Sequence, residues 1–259
     1  MSASAPPSDI HAHVLAEVEA RAAQATPVAV CVGVHWTFVG MAIDGKLHGG
    51  LASTLSAAAH DHTPVPGPPL HDAGQLLARD AYALASLVFS QRPLEAGVGW
   101  AALNALLEVD VARCVEVNAA EIIAKRGAGR RVAVVGHFPF LSRLRTVAET
   151  LWVLELDPRP GDLPAASAPD ILPQADVVAM TGSCLLNHTF TGLIALCRPE
   201  AFVIMLGATT PLATSLFGTG LDALSGTLVV DPGAALAAVS QGATFRQIPG
   251  KRLLTRYKP

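Results

Sequence analysis

The sequence predicts a two-part α/β protein. An α+β part over residues 28–127 leads into a Rossmann-like parallel-sheet part over residues 128–259, and a helix-bearing segment at residues 1–27 precedes both. Three observations carry the prediction. Asp44-Gly45 joins two extended stretches as a hairpin turn does. Asn118 to Gly127 has the capping spacing, the basic last turn and the terminal glycine of a short closing helix. Beyond it, short apolar runs alternate with helix-length segments, the pattern of βαβ units.

In chain order, Val28–Val34 is an unbroken apolar run and His35–Met41 alternates. Together they read as one extended stretch that pairs antiparallel with Lys46–Leu55 across Asp44-Gly45. His60 to Pro69 is too rich in proline to be anything but a loop. Two helices follow, over about 73–89 with Leu77, Leu84 and Val88 on one face, and over 93–108, where Pro93 suits the first helical position. After the linker Gly127–Arg131, strands are expected at Val132–Val135, Leu151–Leu156, Asp176–Met180, Ala201–Leu206 and Thr227–Val230. The helical segments between them fall near 139–148, 187–197, 211–217 and 232–240.

Composition narrows the class. The chain is 51% hydrophobic and only 15% charged, which fits a packed globule and argues against disorder. No apolar stretch reaches the length of a membrane span, and the N-terminus lacks the basic start and apolar core of a secretory signal, so a cytoplasmic protein is expected. Cys31, Cys114, Cys184 and Cys197 form no Cys-x-x-Cys pair and read as small hydrophobes. Residues 1–127 carry 7 basic and 12 acidic side chains (net −5), and residues 128–259 carry 11 and 9 (net +2). Five of those bases lie between Arg246 and Lys258 with a single interleaved aromatic, Tyr257, which reads as a solvated edge and not as a nucleic-acid surface. The mean hydropathy of +0.42 raises homodimerisation as a hypothesis.

In an open parallel sheet, ligands bind where the loops after the strands gather. That places five loops together: Gly136-His137-Phe138-Pro139, the run from Asp157 through Arg159 to Asp162, Thr181-Gly182-Ser183 through Asn187, Gly207-Ala208-Thr209-Thr210, and Asp231-Pro232. Thr181, Ser183 and Asn187 also suit plain helix caps and turns, and Arg159 suits a salt bridge to Asp157 or Asp162. Gly136 is not followed by the glycine-rich dinucleotide fingerprint, and the bulk of Phe138 with the missing N–H of Pro139 disfavours a pyrophosphate, so no cofactor is assigned.

With those loops in view, the chain resembles the putative heavy-metal chelation family. The motifs are His35-Trp36-Thr37, Pro93–Gly97 with Ala102–Ala105, Gly136–Pro139, Pro158–Pro164, Ala175–Val178 with Thr181-Gly182, Asn187-His188-Thr189, Pro211-Leu212, and Gly226 through Pro232. The resemblance implies an enolase N-terminal-like domain beside a Rossmann-like domain, and between them a cleft for a metal chelator or related small molecule. The five loops and the His35–Thr37 strand would face it. It does not bring enolase chemistry, whose carboxylates lie in a barrel this chain lacks.

The candidate ligand-binding residues are therefore His35, Thr37, Gly136, Phe138, Asp157, Arg159, Thr181, Gly182, Ser183, Asn187, Gly207, Thr209, Thr210 and Asp231. His137 is the candidate acid/base, because histidine is the side chain whose ordinary titration lies nearest neutrality. His11-x-His13, taken as an N-terminal tail, and His60-x-His62 lack the ligand spacing of a zinc centre, so no tightly bound metal is expected. Ser183 and Cys184 show no partnered base. Two functions stay open: an enzyme acting on a small polar, metal-chelating metabolite, and a non-catalytic carrier of such a ligand or of its metal complex. No nucleic-acid or membrane partner is expected.

Overall fold

A computed structural model describes residues 9–55 and 67–259. Asp9 accepts the His11 backbone N–H and starts helix α1, Ile10–Ala22. Three strands follow, β1 Ala25–Val32, β2 Trp36–Ile43 and β3 Lys46–Ser53, in one antiparallel sheet of that order. The single extended stretch expected before Asp44 is therefore two strands. Their turn is built at Gly33, whose N–H donates to Trp36 O at 3.0 Å and whose Cα faces the Val239 carbonyl so closely that a Cβ would stand 2.6 Å from it. That break is set by tertiary packing and leaves no mark on an apolar run.

The helix expected over 73–89 is also broken. Arg79 turns extended, and Asp80 starts afresh by accepting the Ala83 N–H at 2.7 Å. Only Ala81–Ala85 (α2) is α-helical, with 3₁₀ turns on either side. Helix α3, Pro93–Leu106, begins at its proline as expected and is buried on nearly every side. Helix α4, Ala119–Gly127, carries the Asn118 cap.

The second sheet has seven strands in the order β10-β9-β8-β7-β4-β5-β6. They are β4 Arg131–Val135, β5 Thr150–Glu155, β6 Leu163–Pro164, β7 Val177–Thr181, β8 Phe202–Leu206, β9 Ala223–Val229 and β10 Lys251–Tyr257. All pairs are parallel except β9 with β10. The basic C-terminal segment, read as a solvated edge, is thus the edge strand itself. Connecting helices are α5 Leu141–Val147, α6 Ala168–Ile171, α7 Ser183–Leu186, α8 Phe190–Ala195 and α9 Pro232–Ser240. The helix expected near 211–217 is instead a 3₁₀ segment, Thr214–Thr219, whose first N–H groups donate to Glu17 of α1.

Strand periodicity divides the core into layers. Val132, Val134, Val153, Val177, Ala179 and Ile204 face α4 and α5, whereas Ala133, Leu154, Val178, Met180, Val203 and Met205 face a larger core. That larger core also holds Val14 and Val18 of α1, Trp100 and Leu103 of α3, and Val39 and Met41 of β2. The other face of the antiparallel sheet, Phe38 and Leu51, is covered by Ala235 and Val239 of α9. The sheets divide along the chain, but the packing interlocks. Among the described residues no helix is long and apolar enough to cross a membrane.

Candidate functional site

A cavity of 1010 Å³ runs along the carboxyl ends of the parallel strands, within the size range of small-ligand sites. Strand order makes its place intelligible. The chain leaves β4 toward β5 on one side and later adds β7 on the other, so the loops after β4 and β7 diverge at a switch point and open a crevice.

Gly136 ends β4 with φ +106, a conformation that favours glycine, and a Cβ there would meet Thr181 Cβ at 3.1 Å and Phe138 Cε2 at 3.2 Å. The turn projects His137 onto the cavity wall and stacks Phe138 on Phe140 with centroids 5.2 Å apart. Both rings also pack on the smaller core under the sheet, so they anchor the turn and line the wall at once.

His137 Nδ1 donates to Asp162 Oδ2 at 3.0 Å, and the Arg159 backbone N–H donates to the same oxygen at 3.2 Å. The Asp162 side chain is 1% exposed and that of His137 is 29% exposed. Asp162 Oδ1 finds no partner among the described residues. An acceptor-only carboxylate in that position keeps the proton on Nδ1 and leaves Nε2 with its lone pair free.

On the other side of the switch point lies a hydroxyl cluster. Ser183 Oγ donates to Ser53 Oγ at 3.3 Å, Ser53 Oγ pairs with Thr209 Oγ1 at 3.1 Å, and the Ser53 N–H donates to Thr209 Oγ1 at 2.9 Å. Asn104 of α3 completes the tie by donating to both Leu51 O and Thr209 O. Ser183 therefore shares its proton with other hydroxyls and not with a base. Burial pushes the Cys184 thiol up to about 12, which removes it as a nucleophile near neutrality.

Of the residues singled out by sequence, Gly136, His137, Phe138, Thr181, Ser183, Asn187 and Gly207 line the cavity. Thr209 and Thr210 are buried behind it, and Gly182 packs against the Thr210 backbone. Asp157 and Arg159 lie on the exposed loop after β5, where Arg159 contributes its backbone N–H and, among the described residues, no salt bridge. Asp231 caps α9 through Ala234 N. His35 is exposed in the β1–β2 turn, and Thr37 is fully buried against Thr54 Oγ1, so this strand meets the cavity through Trp36 between them. Sequence reasoning missed Asp162 as a partner, and with it Trp36, Ser53, Phe245 and Lys251. Asp162 lies in a loop motif already noted, but nothing local points it at a histidine 25 residues earlier.

Four other histidines are engaged elsewhere. His11 sits on α1, not in a tail, buried with Nε2 on Leu185 O at 3.0 Å. His71 Nδ1 meets Glu95 Oε1 at 2.7 Å, His188 Nε2 meets Ser90 O at 2.9 Å, and Arg21 lies against the His48 ring. His60 and His62 lie outside the described residues. Among the described residues no three His, Cys, Asp or Glu side chains come together as a metal site.

Residues 118–258 match a family model described as putative heavy-metal chelation, and residues 16–107 match a second model of the same description. The chain belongs to the putative heavy-metal chelation family. A crystal structure of a family protein of unknown function from Desulfitobacterium hafniense is 25% identical, with 95% of this chain and 100% of that one covered and a TM-score of 0.76. Another, from Pyrococcus horikoshii, is 18% identical, with 96% and 99% covered and a TM-score of 0.81. No curated protein matches the chain. The family's description implies a metal, yet the described donor set does not fit one: its histidines are spread over the fold, and His11, His71 and His188 are already bonded.

Proposed function

We propose that this member of the putative heavy-metal chelation family binds a small polar metabolite or metal chelator in the cavity and moves a proton on it through His137. The observation that carries the reading is a cavity-wall imidazole whose Nδ1 is held by the buried carboxylate of Asp162. Asp162 fixes the tautomer, so Nε2 is the atom that accepts a proton from the ligand. The imidazolium that results is stabilised by the carboxylate beside it and can return the proton to another ligand atom. General acid–base assistance of this kind contributes about 10²–10⁴-fold in rate. A metal enters this reading as cargo, held by donor atoms of the ligand.

Native mass spectrometry of the freshly purified full chain tests for a retained small molecule, and incubation then reports whether it is consumed. Consumption supports proton transfer; retention without change supports the carrier reading instead. His137→Gln keeps hydrogen bonding without the titrating group, so it is expected to bind and lose turnover, whereas His137→Ala loses both. If both variants hold and process the molecule as wild type does, His137 is no part of the site.

A further inference from the structure

The far end of the same cavity carries a cation that no carboxylate among the described residues neutralises. We infer that this end, between β9 and β10, is a second subsite that seats a carboxylate group of the ligand on Lys251, beside the Trp36–Phe245 wall. The inference rests on the reading of the cavity as a ligand site, and it assigns a different part of the ligand to a different place.

Lys251 opens β10 and lines the cavity. Its ammonium donates to the Ile248 carbonyl and lies 4.8 Å from the centroid of the Phe245 ring, which in turn lies 5.2 Å from the Trp36 ring. An ammonium has three donors, and one carbonyl uses one of them. No carboxylate of the described residues lies within 4.0 Å of it, and burial lowers its basicity, the signature of a cation short of counter-charge. Arg246, also on the cavity, forms no ion pair among the described residues and adds positive charge at the rim.

Among the described residues, the one carboxylate on the cavity wall is Glu155, at the end of β5. Five strand steps separate β5 from β10, about 24 Å at the usual spacing, so Glu155 does not balance Lys251. The wall near Lys251 is also incompletely satisfied, because Trp36 Nε1 and Thr227 Oγ1 are buried there without a partner among the described residues. Polar groups left open in this way mark places where water or a ligand completes the structure. Four strand steps, about 19 Å, separate β10 from β4, which carries His137 at its end. A single molecule meeting both ends is therefore elongated, with its anionic group at Lys251 and its reacting atoms near His137.

The probes are 2-naphthoate, a flat carboxylate sized for the aromatic wall, and its neutral counterpart 2-naphthamide, followed on the full chain by ligand-observed NMR. Wild type is expected to bind the carboxylate at least about tenfold more tightly than the amide. Lys251→Met should abolish that preference and Lys251→Arg should restore it, with circular dichroism confirming the fold of each. His137→Ala should leave the preference intact, since it stands at the other end. Equal binding of both probes, or a preference that survives Lys251→Met, overturns the carboxylate seat and leaves the proton-transfer reading standing. Binding of neither probe at millimolar concentration also overturns it. Turnover that survives in His137→Gln and His137→Ala with the naphthoate preference unchanged separates the two ideas in the opposite direction, keeping the carboxylate seat and removing His137 from the chemistry.

Discussion

Asp176 lies at the amino end of β7, on the opposite edge of the sheet from the cavity, and three nitrogens of Arg131 converge on it at 3.0–3.2 Å while Arg198 reaches it from the other side. The Arg131 bonds hold its carboxyl far below the usual carboxylate range. A depressed carboxylate stabilises the fold fully above its unfolded pKa, near ~4, and that contribution fades as pH falls through the folded value. Asp176→Asn should therefore lower stability at pH 7 by about 1–2 kcal/mol, the cluster being partly screened by solvent. The gap between urea melts of variant and wild type should begin to narrow below about pH 4 and keep narrowing as the pH falls further; a constant gap would show that shape, not charge, is at work. Cys184 makes a second test. Its buried, up-shifted thiol should resist iodoacetamide at pH 8 until the protein unfolds, while partly exposed Cys31 and Cys114 react slowly. At this scale the sequence is half legible. His137 could be placed at a strand end from its flanking glycine and proline, but its carboxylate partner is fixed by how the loop after β5 folds back, which no local spacing encodes.

Elements were legible where their signals are local. The Asp44-Gly45 turn, the Asn118 cap and Pro93 all stand where expected. They fail where one element is shaped by another: Gly33 bends under α9, and the 3₁₀ segment at Thr214–Thr219 takes Glu17 of α1 as its cap. The tightest such contact is between β3 and α3. A Cβ on Gly50 would stand 2.0 Å from Ala101 O and 2.4 Å from Ala105 N, both backbone atoms of the helix. Neither can step aside without moving the helix, so Gly50→Ala is expected to destabilise by roughly 2–3 kcal/mol. Gly45→Ala, with open space around it, should be milder and reflect only its left-handed backbone. Thermal melts of the pair would check the ranking, and an equal loss in both would place the cause in backbone conformation alone.

Over the whole molecule, the two sheets are separate but neither part of the chain closes its own core. α1 packs on the 3₁₀ segment at Thr214–Thr219, α9 covers the antiparallel sheet, and Asn104 bonds across to Thr209. The chain should unfold in one transition by both circular dichroism and tryptophan fluorescence, and residues 1–117 expressed alone should fail to give a stable fold. A well-folded isolated fragment would mean that the interlocking is dispensable. The division into two sheets is visible in the sequence because strand patterns differ; the shared core is not, since an apolar residue does not say which neighbour covers it. The cover over Phe38 and Leu51 also sets a timetable for birth. Both residues leave the ribosome about two hundred residues before Val239 does, so the nascent chain carries a bare apolar sheet face through most of its synthesis. A chaperone that grips such faces would find its customer early and release it only when the last helix arrives.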